Sequence, residues 1–182
     1  MTTLGRSRSA LLVIDVQNDV VVDAHQRDEV VATINRAIAR ARASDTPVFW
    51  VQHSDEYLAI DSPGWRIVPE LVPLANEPIV RKLFRSSFEE TTLDELLANA
   101  DVGHLFICGA ETNNCVRFTS HAALERGYDV TLLQDAHTTT GYEWNDSELQ
   151  ASQIIDEQNS SFWRYQLPGR SASIAATDDA AL

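Results

Sequence analysis

Cysteine is scarce in this sequence, with two residues among 182. Two thiols make no disulfide framework, and this usage suits a reduced, cytoplasmic setting. Basic residues are few: 14 Lys and Arg stand against 27 Asp and Glu, a formal net charge of -13. Nucleic-acid recognition needs a basic footprint, and none is present. Arg36, Arg40 and Arg42 fall together, but helical spacing makes them the solvated face of one amphipathic helix. Long apolar runs are missing as well. The stretch 10–14, after the polar residues 1–9, is too short for a signal-peptide core or a membrane span. A soluble, cytoplasmic chain is expected, with no membrane partner. Seven Gly and six Pro are too few for a long disordered region. Repeats, low-complexity segments and domain linkers are absent. One domain over residues 1–182 follows, with flexible ends at 1–9 and about 176–182.

What is present is alternation. Apolar runs at 10–14, 47–51, 78–80, 104–108 and 129–133 read as strands. Between them lie helical patterns at 28–44, from Thr92 onward, at 113–126 and at 143–159. Glu95 is placed for a capping box with Thr92, and Gly127 ends its helix as a C′ glycine. A last strand is read at 162–165. Continuous apolar strands alternating with helices predict a three-layer α/β/α fold with a parallel sheet covered on both faces.

Sites in such sheets form beyond the carboxyl ends of the strands. Asp15 and Gln17 follow the first strand, Gln52-His53 and then Asp55 the second, and Arg81-Lys82 the third. The turn 109–115 follows the fourth strand, and Gln134-Asp135 with His137 the fifth. Parallel strands would open all of these onto one edge. Cys115 then lies in the first turn of a helix, a position that favours the nucleophilic thiolate. Asp15 suits the role of proton acceptor and donor, and Lys82 that of the cation stabilising both. Backbone N–H groups of the 110–115 turn suit an oxyanion, one such donor being worth about 3 kcal/mol. Together these are the parts of acyl transfer through a thioester. Cys108, inside an apolar run, belongs to the core. His53 and Asp55 would need further ligands to hold zinc or iron, and His25, His104, His121 and His137 are scattered. No metal is expected, and His53 reads as a loop-ordering or pocket-lining residue.

Three segments resemble motifs of the isochorismatase-like cysteine hydrolases. They are Leu12-Val13-Ile14-Asp15-Val16-Gln17-Asn18-Asp19, then Lys82 with Ser86-Ser87-Phe88 and Thr91-Thr92-Leu93, and finally Ile107 through Val116 around Cys115. Three motifs in the right order are a specific signal. The resemblance implies a six-stranded parallel sheet, an Asp15-Lys82-Cys115 triad, and a non-proline cis peptide joining Ala110 to Glu111 that turns the N–H groups of Glu111 and Cys115 toward an oxyanion. It implies that Gln17 orders the loop around Asp15, and that the chain forms a homodimer or homotetramer. Nicotinamidases of this family carry an Asp-x-His metal motif after the second strand. Here that place reads Val51-Gln52-His53, so the metal-assisted branch is disfavoured and no cofactor is expected. Isochorismatases proper tend to lack the cysteine, because vinyl ether hydrolysis needs an acid and not a nucleophile. The resemblance therefore implies cleavage of a C–N bond in a small amide, ureido acid or lactam. Trp65, Phe84, Phe88, Thr112, Tyr142 and Trp144 are candidate pocket residues, together with Gln17 and His53. Two alternatives stay open: vinyl ether hydrolysis with Asp15 as acid, and a non-enzymatic thiol redox sensor.

Overall fold

A computed structural model describes residues 3–182. Its central sheet is built from β1 (Arg8–Ile14), β2 (Val48–His53), β3 (Ile79–Lys82), β4 (Val102–Ala110), β5 (Asp129–Thr138) and, further on, β8 (Ala172–Ala175). A small hairpin, β6 (Tyr142–Trp144) with β7 (Ser147–Leu149), stands apart from the sheet. The six sheet strands run in the order β3-β2-β1-β4-β5-β8, and every pairing among them is parallel. From β1 the chain winds outward one way to β2 and β3; from β4 it winds the other way. That reversal leaves a crevice at the carboxyl ends of β1 and β4, where ligands bind in sheets of this kind.

Successive strand residues face opposite sides, and these strands are apolar at both parities. On one side Leu11, Val13, Trp50 and Phe106 pack with Val31, Ile34 and Ile38, the buried stripe of α2 (Arg27–Ala43). On the other, Leu12, Ile14, Ile107 and Leu132 share a core with Leu93 and Leu97 of α3 (Leu93–Asn99), Leu124 of α4 (Arg117–Glu125) and Phe162 of α5 (Ala151–Trp163). Each such side chain contributes about 1.5–3 kcal/mol on burial. A short helix, α1 (Asn18–Val21), begins just past Asp15.

Several expectations need correction. Residues 162–165 form no strand: Phe162 closes α5, one of its buried positions with Ile154 and Gln158, a helical spacing. The sixth strand is β8, a half-buried Ala-Ser-Ile-Ala edge with little of the β-branched signal that marks strands. The helix expected over 143–159 begins only at Ala151, because Asn145 and Asp146 both take left-handed backbone angles, as a two-residue hairpin turn requires. Thr92 makes no side-chain cap on α3; Thr91 Oγ1 instead accepts from the Leu93 N–H at 3.3 Å. The arginines of α2 are not simply solvated. Arg42 pairs with Glu77 at 2.8 Å, Arg40 donates to the Ala180 carbonyl, and Arg36 lies 3.6 Å from Asp178. The last two contacts hold the 177–180 segment against α2, with Ala180 buried. At the other end, Met1 and Thr2 of the stretch expected to be flexible lie outside the described residues, and Arg8 and Ser9 already belong to β1.

Gly109 fixes the approach of β4 to β1. Its φ is +123°, and a Cβ there would sit 2.0 Å from the Ile14 carbonyl oxygen, which is backbone and cannot move aside. Gly109→Ala is expected to destabilise the fold by about 3 kcal/mol or more, since both backbone angle and space are wrong. Thermal unfolding checks this, with a drop of about 6–12 °C for a chain of this size.

Candidate active site

Four strand ends converge on the crevice. Register sets Ile14 beside both Val51 and Gly109 and His53 beside Lys82, so the residues just past these pairs share one edge. Asp15 leaves β1 with φ +50°. Aspartate tolerates this left-handed angle better than most residues, and such strain concentrates at functional sites. The turn aims the Asp15 carboxylate inward, where it is buried.

Lys82, also buried, bridges two partners. Its Nζ lies 2.6 Å from Asp15 Oδ2 and donates to Cys115 Sγ at 3.1 Å. It also donates to the Phe84 carbonyl at 3.2 Å and meets His53 Nδ1 at 3.4 Å. The contact with Asp15 is a short, buried ion pair, and the Cys115 thiol lies against the same carboxylate. Burial raises the Asp15 pKa from its ordinary value against the opposing pull of Lys82. Burial alone would lower Lys82, but the Asp15 carboxylate and Cys115 outweigh it, and its pKa is raised. The lysine is therefore a fixed cation.

Cys115 sits at the entry to α4, between a kink at Asn114 (φ -116°, ψ -107°) and the helical Val116 and Arg117, close to the helix start that the sequence suggested. The helix terminus does not produce a thiolate: burial and then the Asp15 charge push the thiol up to about 12. The resting sulfur is a protonated thiol beside a buried carboxylate. The peptide between Ala110 and Glu111 is cis. Cys108 is fully buried and further from ionisation, raised by burial.

A cavity of about 360 Å³ opens over the thiol, within the range of small-molecule sites. Asp15, His53, Glu111 and Cys115 line it. Of the expected pocket residues, Gln17 acts beneath it: Nε2 donates to the His53 and Trp65 carbonyls, and Oε1 accepts from the His53 N–H at 2.8 Å. The expected aromatic lining does not form. Trp65 is buried with Arg81 over its ring. Phe88 packs against Tyr128 in the core. Phe84 offers its carbonyl to Lys82, not its ring to the cavity. Tyr142 and Trp144 stand exposed on the hairpin. Thr112 is buried away from the cavity, 2.9 Å from His137 Nδ1. The cavity's aromatic is Tyr57, and Asp19, Asn114 and Arg85 line it as well. Tyr57 and Arg85 come from loops whose course no periodicity reveals, whereas Asp19 and Asn114 lie inside the first and third motifs. Among the described residues, no group of three or more His, Cys, Asp and Glu side chains is arranged to hold a metal ion.

His137, named at the end of the fifth strand but given no role there, supports the site from beneath. Its Nε2 meets Asn159 Oδ1 at 2.9 Å while Nδ1 meets the Thr112 hydroxyl. Burial lowers its pKa to about 4, so the ring is neutral. Nε2–H donates to the Asn159 carbonyl oxygen, and Nδ1 accepts from Thr112. This chain ties β5 and α5 to the turn that carries Cys115.

Sheet order, crevice and clustered side chains define a three-layer α/β protein with a thiol, an ammonium and a carboxylate gathered at its topological switch point. An isochorismatase-domain profile matches residues 9–167, and the chain belongs to the isochorismatase family. It is similar to streptothricin hydrolase from Streptomyces noursei, 37% identical over 143 residues that cover 74% of this chain and 56% of that protein; the chain thus spans little more than half of that relative's length. It is similar to ureidoacrylate amidohydrolase RutB from Enterobacter sp. (strain 638), 27% identical over 78% of this chain and 80% of that one. The crystal structure of an isochorismatase from Pseudomonas putida KT2440 superposes with a TM-score of 0.85 at 26% identity, covering 95% of this chain and 91% of the other. No helix among the described residues is long and apolar enough to cross a membrane.

Proposed function

We propose that this protein is a cysteine hydrolase that cleaves the C–N bond of a small amide, ureido acid or lactam through a Cys115 thioester, without a metal. The observation that carries the reading is Lys82 Nζ, 2.6 Å from Asp15 and 3.1 Å from Cys115 Sγ, with Asp15 and Cys115 both lining a cavity. Relatives named streptothricin hydrolase and ureidoacrylate amidohydrolase support it at family level. As Sγ attacks the carbonyl carbon, Asp15 takes the thiol proton, and Lys82 holds the charge of both partners. The N–H groups of Glu111 and Cys115 would hold the oxyanion. Collapse expels the amine, which leaves with the proton from Asp15. Water, deprotonated by Asp15, then attacks the thioester and returns the thiol. Assembly as a homodimer or homotetramer in the cytoplasm belongs to the same proposal. A second reading draws on the raised Asp15 pKa, which also suits a general acid: vinyl ether hydrolysis needing no thiol.

A panel of small amides, ureido acids and lactams, read by ammonia or amine release, tests the reaction class; no C–N cleavage in any of them would sink it. The pH profile tests the roles. Attack requires ionised Asp15, so kcat/KM should rise with pH along a limb centred above the ordinary carboxylate value of about 3.9, because burial raises this group. Lys82, raised from its ordinary value, keeps its proton through pH 9. No inflection is expected near the ordinary thiol value of about 8.5; one there would show that a preformed thiolate reacts.

A further inference from the structure

We propose that the cavity selects substrates bearing a positive charge, such as an amine-bearing amide, and that Asp19 is the specificity residue that meets the cation. The proposal rests on the reading of Cys115 as the nucleophile. Outside the Asp15–Lys82 pair, the formally charged side chains lining the cavity are Asp19, Asp55 and Glu111 against Arg85 alone. Hydrogen bonds do not cancel this excess. Asp55 Oδ1 accepts from the Tyr57 and Leu58 N–H groups, and Oδ2 meets His53. Glu111 accepts from the Asn114 amide at 2.8 Å. Backbone and amide donors orient a carboxylate but carry no net charge.

The Asp19 carboxylate is distinct in having no hydrogen-bond or ion-pair partner among the described residues, while its backbone N–H donates to the Gly64 carbonyl at 3.0 Å. Gly64 makes room for it: a Cβ at Gly64 would lie 1.7 Å from Asp19 Oδ2. The only cation of the lining, Arg85, stacks over the Phe118 ring at 5.5 Å and pairs with no carboxylate among the described residues. A second observation lies deeper. Asp15 is 1% exposed and lines the same cavity; its Oδ2 meets Lys82, and Oδ1 has no aligned donor, which leaves it open to the Cys115 thiol proton and to a donor brought by the ligand. The cavity thus offers open acceptors and surplus negative charge from rim to floor. A formal net charge of -13 over the whole chain adds attraction for cations at longer range.

The charge preference can be read on Cys115 directly, without turnover. Methanethiosulfonates differing only in a trimethylammonium or a sulfonate group react with the thiol, whose sulfur takes the reagent's sulfenyl group as methanesulfinate leaves. Each rate is divided by that of the same reagent with a small free thiol, and Cys115→Ala supplies the background. The cationic reagent is expected to react roughly tenfold faster than the anionic one at low ionic strength. The preference should shrink with added salt, fall in Asp19→Asn and rise in Arg85→Gln. A ratio at or below one, or a ratio unchanged in Asp19→Asn, overturns the proposal. A parallel arm compares a cationic amide with its neutral isostere, for which Asp19→Asn should raise KM more for the cation. If no amide turns over, the hydrolase reading fails, while the reagent ratio still decides charge selection.

Discussion

Cys115→Ala is expected to lower amide hydrolysis by about 10⁴–10⁶-fold, the loss seen when one member of a group acting as a unit is removed. Asp15 and Lys82 cannot compensate, because neither supplies an acyl-accepting atom. The fold should survive. Only Sγ is removed, from a half-buried residue in a turn held elsewhere: its backbone neighbours are fixed by the bonds of Asn114 and Val116 N–H to the Glu111 carbonyl and by the Thr112–His137–Asn159 chain. The vinyl ether reading predicts the reverse pattern, with activity surviving in Cys115→Ala and lost in Asp15→Ala. Assaying both variants on both substrate types separates the two. A redox sensor predicts thiol oxidation with no hydrolysis in the unaltered protein.

Lys82→Met should abolish activity and also cost about 3–5 kcal/mol of stability at neutral pH, the usual penalty for removing one partner of a buried ion pair. The side chain left behind, Asp15, is buried with no cation in contact and only the Cys115 thiol beside it. The sign of the pH dependence follows. Without Lys82 the main influence holding Asp15 down is gone, so its folded pKa climbs further above the unfolded value. The folded variant then binds more protons than the unfolded chain, and its stability falls as pH rises through that interval. Urea unfolding at pH 5 and pH 8 should show the variant's deficit larger at pH 8. Asp15→Asn added to Lys82→Met should recover much of the loss and flatten this dependence, since no buried charge remains. A deficit equal at both pH values, or one not relieved by Asp15→Asn, would show that Lys82 acts through packing alone.

The parallel sheet was legible because its strands are apolar at both parities and separated by helical patterns, and five of its six strands were placed from that signal. The sixth, β8, carries too little hydrophobic contrast in Ala-Ser-Ile-Ala to be read without its neighbour β5. The hairpin was hidden because 143–159 contains enough apolar residues for a helix; the two left-handed residues Asn145 and Asp146 override that pattern locally. Asp15, Lys82 and Cys115 could be named in advance because each lies at or just past the carboxyl end of a strand, and parallel topology carries strand ends to one edge. Their electrostatics could not. A helix-terminal thiol reads as a thiolate in one dimension, but burial and the Asp15 charge reverse the sign. The cavity walls failed for a related reason: aromatic residues near the motifs in sequence went to the core or the surface, while loop residues with no pattern, Tyr57 and Arg85 among them, came to the thiol.

The covalent intermediate is tested most directly by quenching the protein during turnover of a slowly hydrolysed amide and weighing its peptides by mass spectrometry. The substrate's acyl group should appear on the peptide that carries Cys115, not on the one that carries Cys108, and should be released by hydroxylamine as a thioester is. Steady turnover with Cys115 unmodified at every quench time, matched by retained activity in Cys115→Ala, would contradict the thioester mechanism.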